Sequence, residues 1–572
     1  KDSYYAMDDM PAGLGYISHA LDMNSIENSV FDMCMDGGIK GLYQAIEKKD
    51  PQLIGLSLMS YRFLDHYSLM DNIKERFPNI LIVVGGPHLS LYREDVLRRC
   101  SAVDFGVVLE GDETIVELCN NIDNLSEVKG LIYRVSNPNE VGIADSGDRL
   151  AFIQDLTKDR PGKVTKIKEL RFYSGDNADG SGIVYTGDRP YLKDLVGIGW
   201  PKYSGFDLTK YTYLTIVTSR GCPYKCTFCS VLYTIGTDWR FRPAADVVDE
   251  MEYWYHNGMR KFEIGDDNFT LVQERVYEIC DLIEERGLVG LDLGLGNGIR
   301  ADRVDKPLLQ RMKDVGFSYI AFGVEGGNDK TLTQLRKGEK MSDIEAGIKA
   351  ACEVGLPVQL FFLLGAPGET EQDVKDSVKF CLKYPVIDCR FYNILPFPQS
   401  ELYNDLIAQN ENARGAKFLR DPETHLNDSS AWFFLPVFET PELPEAARIR
   451  LLKWANKTTR KHTDEVNRKR NLEKYRLIGW PYAFAWVFSK LRTNKPLKDF
   501  LNKIGVAQFL KGVLQEDAYH KQSISSLATD KAISALSAIP KRSLSPSDIL
   551  IASKGPVSEE EMREIREDSM PK

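Results

Sequence analysis

The sequence predicts an α/β chain in three parts: a Rossmann-like doubly wound domain, a partial (β/α)6 TIM-type barrel and a mainly helical C-terminal domain. Three observations predict it. Short continuous apolar runs alternate with segments of helical period as far as about residue 400, the pattern of parallel strands joined by crossover helices. Glycines and polar residues collect just past the strand ends, where such sheets bind ligands. Three cysteines, Cys222, Cys226 and Cys229, fall within eight residues, directly after one of those strands.

Bulk properties bound the answer. A chain of 572 residues exceeds a single hydrophobic core and predicts roughly two to four domains. With 43% hydrophobic and 27% charged residues the composition is globular. A formal charge of -10 gives no reason to expect a nucleic acid partner. The ten cysteines are not spaced as a secreted disulfide framework, and no signal peptide is recognisable. No run of about 18 apolar residues occurs, so no transmembrane helix is expected. The chain opens Lys1-Asp2-Ser3-Tyr4-Tyr5, where an α/β domain usually opens with a strand, so an opening strand is expected to be missing.

The first domain is assigned to residues 1–135. Pro11 to Leu21 reads as a helix, Ser29 to Asp32 as a short strand, and Ile39 to Lys48 as a helix ended by Pro51. Leu53 to Leu58, Ile80 to Val84 and Val103 to Val108 are apolar strands, separated by helices beginning near Tyr67 and Thr114. Ser57, Gly85, Gly86, His88, Glu110 and Gly111 lie at or just beyond strand ends. A glycine there lets backbone approach a large flat ligand. His88 could bond such a ligand or only cap a loop. Residues 136–210 read as a connector rich in turn formers, with a hairpin near Arg171 to Tyr185.

The barrel is assigned to residues 211–400. Tyr213 to Val217, Lys261 to Ile264, Leu291 to Leu295, Tyr319 to Gly323, Pro357 to Leu364 and Asp388 to Leu395 are six strand candidates. Helical segments separate them. Asp266, Asp267, Glu325, Arg336 and Gly365 follow strand ends, where an active-site rim is expected; as isolated residues they also suit helix caps and solvated loops.

Residues 401–572 do not continue the repeat. Trp432 to Phe438 is a dense aromatic run, suited to a core or a substrate wall. Ala446 to Arg470 is a long helix. Leu477 to Leu491 is apolar and aromatic but too short and interrupted to span a bilayer; it suits burial, a subunit contact or peripheral membrane contact. The tail from Ser523 is expected to be helical and peripheral.

Three thiolates on one loop suit a soft metal centre and leave one iron of a four-iron cluster without a protein ligand. The alternatives are three unrelated buried cysteines or a zinc loop short of a ligand. The stretch Thr218-Ser219-Arg220-Gly221-Cys222-Pro223-Tyr224-Lys225-Cys226-Thr227-Phe228-Cys229 resembles the cluster loop of radical S-adenosylmethionine (SAM) enzymes. The resemblance implies a [4Fe-4S] cluster held by Cys222, Cys226 and Cys229, with SAM on the fourth iron and Phe228 near its adenine. Asp266, Asp267 and Asn268 would then lie near the SAM amino group, Glu325 in the segment after the fourth strand, Arg336 and Lys337 near the SAM carboxylate, and Gly365 in the turn past the adenine. Gly326 departs from the family pattern, which continues with Ser, and Gln399 replaces a Gly.

The first domain is similar to the cobalamin (B12)-binding domain found ahead of the cluster domain in one radical SAM class, which includes class B methyltransferases and an anaerobic Mg-protoporphyrin cyclase. The landmarks are Pro11-Ala12-Gly13-Leu14-Gly15-Tyr16, Ser57, Gly85-Gly86-Pro87-His88 and Glu110-Gly111-Asp112-Glu113. Many cobalamin modules carry D-x-H-x-x-G; here Asp32 to Gly37 has Cys34 in place of the His. Cobalamin would then bind without that ligand, or with another residue or water below cobalt, or the module has kept only its fold. The class implies C-methylation of an unactivated carbon in a small-molecule substrate, apolar or ring-bearing. The alternative is cyclisation, rearrangement or oxidation driven by the 5′-deoxyadenosyl radical. It also implies an electron donor such as flavodoxin or ferredoxin, and a reducing cytoplasm. No catalytic side chain is assigned.

Overall fold

A computed structural model describes residues 10–135, 163–167, 170–174, 182–428, 430–477 and 549–553. The first domain contains α1 (Ala12–Met23), β1 (Asn28–Asp32), α2 (Gly38–Lys49), β2 (Leu53–Ser57), α3 (Phe63–Arg76), β3 (Leu81–Gly85), α4 (Pro87–Tyr92), α5 (Glu94–Arg99), β4 (Phe105–Val107), α6 (Asp112–Asn120) and β5 (Leu131–Val135). It continues through β6 (Lys163–Ile167), β7 (Leu170–Ser174) and β8 (Gly182–Tyr185). The expected hairpin is present as the antiparallel pair β7 and β8, and these strands extend the same sheet.

Strand alternation divides this domain into two cores. Leu53, Val83, Phe105 and Val107 face one way, onto Leu14 and Leu21 of α1 and Ile115 and Leu118 of α6. Ile54, Leu56, Ile82 and Val84 face the other way, onto apolar residues of α2, α3, α4 and α5. A parallel sheet buried on both faces explains why its strands read as unbroken apolar runs.

The barrel comprises β9 (Leu214–Ile216), β10 (Ser219–Arg220), α7 (Val231–Thr234), β11 (Arg240–Phe241), α8 (Ala244–His256), β12 (Lys261–Ile264), α9 (Gln273–Glu285), β13 (Asp292–Ile299), α10 (Lys306–Asp314), β14 (Phe317–Glu325), α11 (Asp329–Gln334), α12 (Met341–Val354), β15 (Val358–Leu364), α13 (Glu371–Cys381) and β16 (Asp388–Asn393). Its six-stranded sheet runs β16-β15-β14-β13-β12-β9. All five pairings are parallel. This is the expected partial barrel. Caps fix helix starts behind the rim: Thr370 and Asp373 form a reciprocal capping box on α13, and the Asp305 carboxylate accepts from Leu308 N at 2.9 Å on α10.

After the barrel come α14 (Glu401–Ala408), β17 (Lys417–Phe418), α15 (Ser430–Phe433), β18 (Phe438–Glu439), α16 (Glu445–Leu477) and β19 (Ile549–Ser553). Leu451, Leu452 and Ala455 of α16 join the barrel core. The tail departs from expectation. Residues 549–553 form an internal strand of the first sheet, parallel to β1 on one side and β2 on the other. The apolar sequence Ile549-Leu550-Ile551-Ala552 suits a position flanked by two strands.

No helix among the described residues is long and apolar enough to cross a membrane. Leu477 to Leu491 lies outside the described residues except for Leu477, the last residue of α16.

Candidate active site at the domain seam

The C-terminal ends of the first sheet face the cysteine-loop side of the barrel. Between them is a cavity of about 340 Å³. One wall contains Gly55, Ser57, Gly85, Gly86, Glu110 and Gly111; the opposite wall contains Val217, Ser219, Arg220, Gly265 and Asp267. Five expected cobalamin-side residues therefore share one surface: Ser57, Gly85, Gly86, Glu110 and Gly111. Gly86 has φ of 90°, and an added Cβ would stand 2.9 Å from the Leu58 carbonyl oxygen, so the turn requires glycine. Leu109, also in the wall, holds the left-handed region at φ 64° while its N–H donates to Ser90 Oγ at 2.9 Å.

His88 does not join that surface. It is fully buried, its ring stacked 4.6 Å from Phe63 and its Nε2 2.8 Å from the Tyr67 hydroxyl. Burial pushes its pKa down to about 3, with Arg99 adding to the effect. The residue is a neutral core histidine, because the helix start at Pro87 turns it behind the glycine turn. Cys34 is exposed and is absent from the cavity lining.

The cysteine loop leaves β10 through a second required glycine. Gly221 has φ of 89°, and a Cβ there would meet the Asp238 carbonyl oxygen at 2.4 Å. Thr227 N donates to Leu335 O at 3.1 Å and Leu402 N donates to Thr227 O at 3.0 Å, tying the loop to two later elements. Phe228 is half-buried and packs against the apolar cluster shared with these elements. Cys222, Cys226 and Cys229 are half-buried free thiols. Burial pushes Cys226 up to about 11 and Cys229 up to about 12, while Lys337 pulls Cys226 down.

Asp266 and Asp267 separate into two roles. Asp266 is buried: one carboxylate oxygen accepts from Thr218 N at 2.6 Å, and the other accepts from Ser219 Oγ at 2.6 Å. It fixes the end of β9 and is not part of the cavity lining. Asp267 lines the cavity and accepts from Gly221 N at 3.3 Å; burial raises it to about 6.

The rim beyond β14 also differs from expectation. Arg336 points outward, 57% exposed at its side chain, and pairs with Glu401 at 2.6 Å. Its neighbour Lys337 turns inward and is buried. Lys337 Nζ lies 3.1 Å from Glu325 Oε1 and 3.6 Å from Glu339 Oε2. Burial alone would lower its ammonium, but those carboxylates hold it above its usual value. Glu325 has φ of 64°, a strained conformation for a non-glycine residue at a strand end. Gly365 backs onto the C-terminal helix: a Cβ would stand 1.9 Å from the Arg448 guanidinium carbon, and Gly365 N donates to Glu369 at 2.5 Å. Its glycine is needed to admit Arg448.

The residues fit an iron–sulfur group and a large planar cofactor. Among the described residues no three His, Cys, Asp or Glu side chains meet around a single ion. Thiolates that each bind a different iron need not meet. The buried Asn268 amide has no partner of hydrogen-bond geometry, and it acts on the Cys222 thiol, opposing the rise that burial causes. The adjoining cavity has a glycine-rich wall that backbone can line closely. The sequence carries no sign of a role for Arg220, although it stands two residues before Cys222. Its signal lay only in a contact across domains.

Comparison with known proteins gives two family matches: the radical SAM superfamily over residues 216–381 and the B12 binding domain over residues 5–119. An uncharacterized methyltransferase of Pyrococcus horikoshii is 25% identical over 406 residues, covering 70% of this chain and 79% of the relative. The anaerobic magnesium-protoporphyrin IX monomethyl ester cyclase of Cereibacter sphaeroides is 22% identical over 414 residues, covering 70% and 61%. The radical SAM methyltransferase TsrM of Kitasatospora setae, solved with cobalamin and a [4Fe-4S] cluster, shares the fold with a TM-score of 0.55, at 18% identity, over 78% of this chain and 88% of that one.

Proposed function

The chain belongs to the radical SAM enzymes that carry a cobalamin-binding domain, and on that premise we propose that it is a C-methyltransferase using a [4Fe-4S] cluster, SAM and cobalamin. The carrying observation is the cavity at the seam. Its walls come from the glycine-rich strand ends of the first domain and the flank of the cysteine loop, so two cofactors could face each other across it. Cys222, Cys226 and Cys229 would hold the cluster. Ser57, Gly85, Gly86 and Gly111 would form the cobalamin wall. When bound, these groups supply one-electron cleavage of SAM and a transferable methyl group.

The protein's own contribution is orientation and exclusion of water. Asp266 ties the end of β9 to β10, from which the cysteine loop departs, through its bonds to Thr218 and Ser219. The buried Lys337–Glu325 pair sets a fixed charge pattern beside Cys226 and is suited to the charged amino-acid end of SAM, so of the two cations expected there Lys337 keeps the role and Arg336 does not. Asp267 and Asn268 face the same loop. A flavodoxin or ferredoxin would supply the electron, and a reducing compartment suits that chemistry. The substrate would be a small molecule.

Anaerobic turnover with methyl-labelled SAM and ring-bearing candidate substrates tests the reading. Label in a carbon-bound product methyl, with 5′-deoxyadenosine and S-adenosylhomocysteine both formed, is expected. Deoxyadenosine with an unlabelled, oxidised or cyclised product would instead favour the chemistry named for the cyclase relative.

A further inference from the structure

Glu110 belongs to the first domain and Arg220 to the barrel, and their side chains meet. Glu110 Oε1 accepts from Arg220 Nη1 at 2.9 Å; Glu110 Oε2 accepts from Arg240 Nη1 at 2.7 Å and from Leu192 N at 2.9 Å. Arg220 also donates to both oxygens of Asp112, at 3.1 and 3.4 Å. Each guanidinium lies over an aromatic ring, Arg220 4.8 Å from Tyr16 and Arg240 5.0 Å from Tyr191. The four charged side chains are nearly excluded from solvent, none more than 13% exposed. Two cations and two anions thus balance inside the seam. Glu110 is saturated by protein donors, which makes it an anchor and not a spare acceptor for a corrin amide.

We propose that Arg220, anchored by Glu110 and Asp112, is a positioning residue that sets the cysteine loop at a fixed distance from the cobalamin cavity. The inference rests on the two-cofactor reading above. Arg220 stands two residues before Cys222 and itself lines the cavity, so its placement is passed directly to the first thiolate. A guanidinium fork can bridge two carboxylates at once, whereas a lysine ammonium is a single point charge. Removing one partner strands a buried charge, so the contact is held fully or lost, with little stable ground between. Reactions between two bound groups depend steeply on separation, and about 1 Å of misplacement costs on the order of 100-fold.

The test uses full-length protein reconstituted anaerobically with iron, sulfide and hydroxocobalamin. Arg220→Lys and the near-isosteric Glu110→Gln are compared with wild type. The first readout is the electron paramagnetic resonance signal of cob(II)alamin, with the cluster oxidised and then reduced, because magnetic coupling between the spins reports their separation. The second is S-adenosylhomocysteine release under titanium(III) citrate. With reduced corrin bound, the SAM methyl would pass to it: the corrin would supply the electron pair of the new bond, and the sulfur would keep the pair of the broken one. Both variants are expected to retain iron and corrin, with weakened or spread coupling, at least about tenfold slower release and SAM affinity within about twofold of wild type. Wild-type coupling and rate in Glu110→Gln overturn the inference, even if Arg220→Lys does not fold. Wild-type protein that retains no corrin overturns the two-cofactor reading, and this inference with it.

Discussion

Lys337 Nζ lies 3.1 Å from Glu325 Oε1, and both side chains are buried beside the cysteine loop. Lys337 also lies 3.6 Å from Glu339 Oε2, so its loss strips two buried carboxylates of a cation at once. Lys337→Met is expected to destabilise the barrel by about 3–5 kcal/mol in a denaturant titration and to weaken SAM binding by equilibrium dialysis. Adding Glu325→Gln should recover part of that stability, with Glu339 left to Arg300 alone, but not SAM affinity. Recovery of both would remove the pair from the SAM site.

Cys226 is expected to be indispensable for the cluster. Cys226→Ala should lose most of the iron and all deoxyadenosine formation while keeping hydroxocobalamin, since the corrin wall lies in another domain. Iron content and SAM cleavage at wild-type levels would overturn the ligand assignment.

His88 should be dispensable for cobalamin. His88→Phe keeps an aromatic ring in the stack with Phe63 and is expected to leave hydroxocobalamin affinity within about twofold, because only the bond to Tyr67 is lost. The variant also alters the acid response. A histidine held neutral at about 3 against a usual 6.5 contributes stability that is complete above 6.5 and falls as pH drops. Wild type should therefore lose up to about 1.4 kcal/mol per pH unit below 6.5 from this group, and His88→Phe should not.

Glu369 has the opposite sign. Burial raises it to about 7 from 4.5, against the pull of Gly365 N–H and Arg448. Its contribution is complete below 4.5 and is lost as pH rises through 7, at up to about 1.4 kcal/mol per unit. Glu369→Gln should flatten that part of the stability profile, measured by denaturant unfolding from pH 4.5 to 7.5. An unchanged slope would show that Arg448 keeps the carboxylate charged.

A chain ending at Ser547 lacks strand β19. Both neighbours, β1 and β2, would then face a gap one strand wide, with unpaired backbone groups in the sheet interior. Corrin retention is expected to fall at least tenfold while iron content stays near wild type, measured by visible absorbance and metal analysis. Full retention of corrin would mean that the sheet closes without this strand.

Much of the fold could be read from the chain because its signals are local. The strand Lys261–Ile264 occurs as expected, and the cysteine spacing alone pointed to a cluster loop. Side-chain direction was less legible. Arg336 and Lys337 are adjacent and similar in charge, yet a left-handed residue at Arg336 sends one outward and the other into the core. His88 follows a glycine turn that does line the cavity, but the first residues of α4 rotate it away.

The two α/β units, the three thiols on one loop and the glycine-rich strand ends are legible along the chain, because periodicity, turn chemistry and spacing are written in neighbouring residues. What stands between those units is settled by packing. Glu110 and Arg220 are 110 positions apart, and their ion pair follows from domain packing. The same holds for Arg448 behind Gly365 and for the C-terminal strand within the first sheet. Each is a contact between distant parts of the chain, chosen by burial and charge pairing once the local elements exist, and no local pattern encodes the partner.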